Sequence, residues 1–225
     1  MAEMFLLPRG ITVKENVNPQ RVNLPEALEK LRSVRFSGYL RFGATKGTGI
    51  LIFYQGGLVG ALFEGEKNRL LAMDAIARIF ELSLQGGVTL DVYRLSDDLA
   101  LRVNALLRGK VLSSGRELEG IDVRLLLRRV KEARLNGCLR VYAGDRSVLI
   151  FYRDGQSLGF FHDGGKELET SADLSGSVAR LPGARLDVLQ TAPPEGTPTA
   201  DLLEANDLKE LWKKTKMLQT STVSS

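Results

Sequence analysis

Cys138 and His162 are the single cysteine and the single histidine of this chain, and only together could they supply a thiol nucleophile with an imidazole base. Nothing in their spacing requires them to meet. Cys138 lies in a strand-like run, where a small buried thiol is common. His162 follows Gly159-Phe160-Phe161 and precedes a Gly-rich turn begun by Asp163. Zinc would need about four Cys, His or carboxylate ligands at suitable spacing, and that set is missing. Gly43-Ala44-Thr45-Lys46-Gly47-Thr48-Gly49 has the composition of a phosphate loop, but it lacks the Gly-Lys-Ser/Thr order and joins two strand patterns instead of opening a helix. The expectation is a non-enzymatic chain with no catalytic residue, cofactor or metal.

Binding has better candidates. From Leu101 to Arg140 there are ten Lys or Arg against four Asp or Glu, an excess larger than the formal charge of +4 on the whole chain. Within this stretch Val123, Leu126, Leu127 and Val130 form an apolar helical stripe, and Arg124, Arg128 and Lys131 stand at i, i+4 and i+7 on the neighbouring face. Such a row is a solvated face, or it meets an acidic protein, the other half of the chain or an anionic small molecule. Nucleic-acid binders interleave aromatics or concentrate more charge, so nucleic acid is not the expected partner. Near the C-terminus, Leu208, Leu211 and Trp212 at i, i+3 and i+4 form an apolar anchor among lysines. That anchor suits a protein partner or peripheral contact with a membrane, and the alternative is docking onto its own domain. Tyr54 and Tyr152, at two strand ends, are a third candidate contact.

The elements that must position these residues are announced by a duplication. Ser37-Gly38-Tyr39-Leu40-Arg41 returns as Asn136-Gly137-Cys138-Leu139-Arg140, Ile52-Phe53-Tyr54 as Ile150-Phe151-Tyr152, and Leu90-Asp91-Val92 as Leu186-Asp187-Val188, at offsets of 99, 98 and 96 residues. A period this long is a whole small domain. The fold class that follows is α+β, with two tandem repeats. Each is an antiparallel β-meander with flanking helices, in the order helix, three strands, helix, strand, and a C-terminal helix is added at the end.

The boundaries read as a lead-in over 1–22 with an edge strand at Ile11 to Lys14, a first module over 23–95, a bridging helix and polar linker over 96–120, and a second module over 121–191. A Pro/Gly linker at 192–200 and a C-terminal amphipathic helix with a frayed tail at 201–225 complete the chain. In the second module Gly176 interrupts the second helix pattern, Asp173 to Leu181, which is expected to be short. At 225 residues with 44% apolar and 26% charged residues, the composition is that of an ordinary globular protein. No run approaches the ~20 apolar residues of a membrane span, and Met1 to Leu7 lacks the basic start of a signal peptide. A single cysteine fits a reducing cytoplasm.

Gly38-Tyr39-Leu40, the run from Gly49 through Tyr54-Gln55-Gly56-Gly57 to Ala61, and a following helix with Ala72 and Ala75 resemble the PATAN-type domain of unknown function of bacterial signalling proteins. The resemblance covers about 23–95 and, more weakly, 121–190, where Phe160 stands near the small residue's place. It implies a non-enzymatic adaptor in signalling or motility control, with its usual input signal missing or supplied by another protein because no receiver domain is present. The alternative is a sensor for an anionic nucleotide, using the basic helix at the inter-module cleft.

Overall fold

The computed structural model describes residues 7–170, 177–191 and 200–223, with side chains as far as 220. The chain divides into two compact units, one built from 12–100 and 200–223, the other from 7–11, 101–170 and 177–191.

The first unit runs β1 (Ile11–Val17), a 3-10 turn, α1 (Leu24–Ser33), β2 (Gly38–Ala44), β3 (Gly47–Tyr54), β4 (Gly57–Gly65), β5 (Arg69–Leu71), α2 (Ala72–Gln85) and β6 (Val88–Arg94). Its sheet has the order β1-β6-β2-β3-β4-β5. After α3 (Asp97–Leu107) the second unit runs β7 (Lys110–Glu117), a 3-10 turn, α4 (Val123–Glu132), β8 (Gly137–Ala143), β9 (Arg146–Arg153), β10 (Gln156–His162) and β11 (Arg185–Gln190). Its sheet has the order β10-β9-β8-β11-β7. In both units the closing strand returns beside the first strand of the meander, a Greek-key order. The α+β repeat architecture is therefore present. A terminal pair, α5 (Leu202–Ala205) and α6 (Leu208–Val223), belongs to the first unit.

The repeat starts earlier than the helix where the sequence places it. Val111 and Leu112 are exposed and the rest of 110–117 is polar, so no alternation marks β7, and the stretch reads as a linker. The structure makes it a strand paired with β11, and β7, the 3-10 turn and α4 repeat β1, its turn and α1 at a constant offset of 99. Within this pattern Asn16 and Gly115 both have positive φ, at 56° and 66°. These are residue types that tolerate left-handed backbone. The Asn16 N–H donates to Asp91 at 2.9 Å and the Gly115 N–H to Asp187 at 2.8 Å.

Each of those aspartates also accepts from an arginine across the sheet. Arg41 Nε and a terminal guanidinium nitrogen lie 3.1 and 2.8 Å from Asp91 Oδ2. Arg140 Nε lies 2.7 Å from Asp187 Oδ2. The Arg140–Asp187 pair is almost wholly buried and the Arg41–Asp91 pair less so. A buried carboxylate satisfied by a guanidinium and a backbone N–H ties the first strand of each repeat to its last.

The Ile-Phe-Tyr match is one residue out of register. Gly38 faces Phe53 across β2 and β3, whereas Gly137 faces Tyr152 across β8 and β9, so Phe53 and Tyr152 are equivalent. Side chains alternate between faces along a strand, and a slip of one residue exchanges the faces. The turns agree with this register: Gly56, at φ 90°, lies against Arg32 of α1, and Gly155, at φ 75°, lies against Lys131 of α4. A Cβ on Gly56 would stand 2.5 Å from the Arg32 carbonyl oxygen, and one on Gly155 would stand 2.7 Å from the Lys131 Cα. Both turns need glycine.

The two cores differ. In the first unit Leu40, Phe42, Leu51 and Phe53 of the sheet pack under Leu24 and Leu28 of α1 and Ile76, Ile79 and Phe80 of α2. In the second, Leu139, Val141, Tyr152 and Leu186 pack with Val130, Leu135 and Val178. Of the helix expected over Asp173 to Leu181, residues 173–176 lie outside the described residues, and Val178–Arg180 form a single 3-10 turn. The expected tail from Gln219 is helical through Val223, and the Gln219 side-chain amide donates to the Glu81 carbonyl at 2.8 Å.

Candidate interaction surface

Helix α4 is set by local chemistry. The Asp122 side chain caps it, accepting the Leu125 N–H at 3.0 Å, and Arg129 and Lys131 sit in its last turn, where the helix dipole favours cations. The helix buries only Val130 fully and Leu126 in part. Val123 and Leu127, expected to join them, are 48% and 44% exposed. They border the row of Arg124, Arg128 and Lys131, all exposed, so one face combines two uncovered apolar side chains with three cations.

Helix α1 shows the same positions covered. At the offset of 99, Val123 corresponds to Leu24 and Leu127 to Leu28, and both leucines are 0% exposed. They share a core with Leu203, Leu208 and Trp212 of the terminal helices. Arg32 of α1, the counterpart of Lys131, forms an ion pair with Glu204 of α5. Asp201, which caps α5 through the Leu203 N–H, also accepts the Leu58 N–H of β4 at 3.0 Å. The first unit thus carries its own cover, a helical segment with an apolar ridge and an acidic residue.

The sequence-predicted anchor in the terminal helix is spent in this cover. Leu208 and Trp212 are buried and Leu211 is half-buried. Trp212 meets Phe80 edge-on with ring centroids 4.9 Å apart. The apolar i, i+3, i+4 face that looked available for a partner is satisfied by α1 and α2 of the same unit. Of the tyrosines, Tyr152 is in the second core, where burial pushes its phenol above its ordinary pKa, and Tyr54 is half-buried. The one-residue slip explains why they do not share a face.

Cys138 and His162 do not come together. Cys138 on β8 pairs with Phe151 and His162 on β10 pairs with Val148, so the whole of β9 lies between them. They also point to opposite faces, since Leu139 and Val148 are on the core side. Burial holds the Cys138 thiol well above its usual pKa. No group of three or more His, Cys, Asp or Glu among the described residues is placed to hold a metal ion. The Gly43–Gly49 stretch is the hairpin between β2 and β3.

A family model described as an uncharacterized protein conserved in archaea (DUF2226) matches residues 5–106. The match spans the first repeat and ends inside α3. It overturns the resemblance to bacterial PATAN-type domains, because the residues that suggested one fall within the stretch matched by the archaeal family. The Gly turn behind that resemblance is what this hairpin needs to seat against the end of α1. No curated protein and no solved structure matches the chain. No described helix is long and apolar enough to cross a membrane.

What the sequence left out of this surface is the inequality between the repeats. Arg124, Arg128 and Lys131 were legible as an exposed row. That Val123 and Leu127 stay uncovered was not, because the stripe they form is the same one that buries Leu24 and Leu28.

Proposed function

We propose that this protein is a non-enzymatic interaction adaptor that seats an acidic, amphipathic helix of a partner protein on α4. The observation that carries this reading is the contrast between Leu24 and Leu28, fully buried, and their counterparts Val123 and Leu127, about half exposed. In the first unit the cover supplies Leu203, Leu208 and Trp212 for the apolar positions and Glu204 for Arg32. A partner helix with the same chemistry would fill the same positions on the second unit and give Arg124, Arg128 and Lys131 carboxylates to meet. Charge complementarity of this kind speeds encounter and fixes orientation, while the apolar contact supplies affinity. The reducing cytoplasm, where Cys138 stays a thiol, is the proposed setting.

The test uses the intact chain as bait in an extract of its source cells, with cross-linking from Lys131 to map the contact. A protein cross-linked through an acidic helix, retained by the native chain and lost from Val123→Asp/Leu127→Asp and from Arg124→Glu/Arg128→Glu, supports the reading. Retention indifferent to both double variants overturns it. So does self-association, or binding to anionic vesicles, that accounts for all of the α4-dependent signal.

A further inference from the structure

A cavity of about 290 Å³ opens on the core face of the second sheet, away from α4. Its walls include Val141, Val148, Ile150, Phe160 and Val178, and Arg146, His162, Asp163 and Ser177 are among the polar residues that line it. Ligand pockets start at roughly 300 Å³ and are mostly apolar with a few converging polar groups. This one fits that pattern at its small end.

The first repeat shows how unusual this lining is. By strand register Phe160 corresponds to Ala61, His162 to Phe63 and Val148 to Gly49. In the first unit that face is closed by α2: Ile79 sits so near Gly49 that a Cβ there would be 2.5 Å from Ile79 Cγ1, and Ala61 and Phe63 are buried in the same core. The second repeat has replaced the phenyl ring of Phe63 by an imidazole and the glycine at 47 by Arg146. Both changes put side-chain nitrogen beside an apolar surface.

His162 is held for such a role. Its Nδ1 is 3.0 Å from the Asp163 carbonyl oxygen, which orients the ring, and Nε2 is 2.9 Å from Glu169 Oε2. The Glu169 partnership, ahead of the cost of partial burial, raises the imidazole above its ordinary pKa. Both side chains of that pair are nearly half exposed, so the contact is weak and exchangeable. The other acid at the cavity, Asp163, accepts the Arg9 backbone N–H at 2.7 Å, and the Arg9 guanidinium pairs with Asp145.

We propose that this cavity binds a small amphipathic anion, a short chain or single ring ending in a carboxylate. The apolar part lies against Val148, Ile150 and Phe160. The head takes the place of Glu169 at His162 Nε2, with Arg146 at its side. The site is separate from α4, and its failure leaves the partner-binding reading standing.

The experiment is an NMR titration of the intact, methyl-labelled chain at pH 6 with octanoate and, in parallel, 1-octanol. Octanoate is expected to shift the methyl signals of Val141, Val148, Ile150 and Val178. Its affinity should drop about tenfold in His162→Phe, the value of one charge-assisted hydrogen bond, and the preference over octanol should vanish. Glu169→Gln should tighten octanoate binding by removing the competing carboxylate, and it leaves every cavity wall in place. Val148→Phe, which fills the cavity, should abolish binding while keeping a folded amide spectrum. Octanoate shifts absent from these methyls, octanol binding as tightly as octanoate, or Glu169→Gln weakening octanoate would each overturn the proposal.

Discussion

The two repeats share a backbone plan and differ in what lies over it. In the first, α1 and α2 are covered by a helical segment from the chain's own C-terminus, so its apolar stripe is closed. In the second, α4 keeps Val123 and Leu127 half exposed, and the sheet face that α2 closes in the first unit is the wall of a cavity. One copy closes its stripe with its own chain, and the other leaves the equivalent side chains about half exposed.

The largest effects test what the repeats hold in common. Asp187→Ala should leave Arg140 buried without its carboxylate and destabilise the protein by about 3–5 kcal/mol, read by urea denaturation. Asp91→Ala should cost less, because Arg41 is more exposed than Arg140. Equal losses would mean that burial does not separate the two pairs.

The next pair tests the difference directly. Leu28→Ala should cost about 2–5 kcal/mol, whereas Leu127→Ala, at an equivalent position with half its surface in water, should cost less than about 1 kcal/mol. If both cost the same, α4 is covered in solution and the interaction surface is lost. Trp212→Ala should cost about 3–5 kcal/mol, and it should lower the midpoint of the first unit if the units melt apart. An unchanged midpoint would make the terminal helix a loose appendage.

The smallest expected effect is the pH dependence at the cavity. His162 gains Glu169 on folding, so its folded pKa lies above 6.5. The resulting stability is fully present below the unfolded pKa and is lost as pH rises through the folded value. For so exposed a pair this is less than about 1 kcal/mol. The melting temperature of the native chain should therefore fall slightly relative to Glu169→Gln between pH 6 and 8. A difference that stays flat across this range would mean that the two side chains do not meet.

Much of the plan is legible in the sequence. The apolar stripe from Val123 to Val130, the glycine turns around Gly56 and Gly155, and alternation in the meander strands locate α4 and six strands, because each is a local signal with a local cause. β7 was not, since an edge strand facing water needs no alternation, and its partner β11 is some seventy residues away. The match of Ile52-Phe53-Tyr54 to Ile150-Phe151-Tyr152 misled for a related reason: identity of letters does not report which face a side chain takes.

The sequence by itself determined that there are two α+β repeats, that each carries an Arg and an Asp in matching strands, and that positive charge gathers on α4. Only the tertiary structure decided that those Arg and Asp residues pair, that the terminal anchor around Trp212 is consumed by its own unit, and that Val123 and Leu127 stay about half exposed while a cavity forms beside His162 among the described residues. The physical reason is that strand and helix signals arise from neighbours along the chain. Burial depends on which distant segment arrives to cover a surface, and two equivalent stripes can meet different fates.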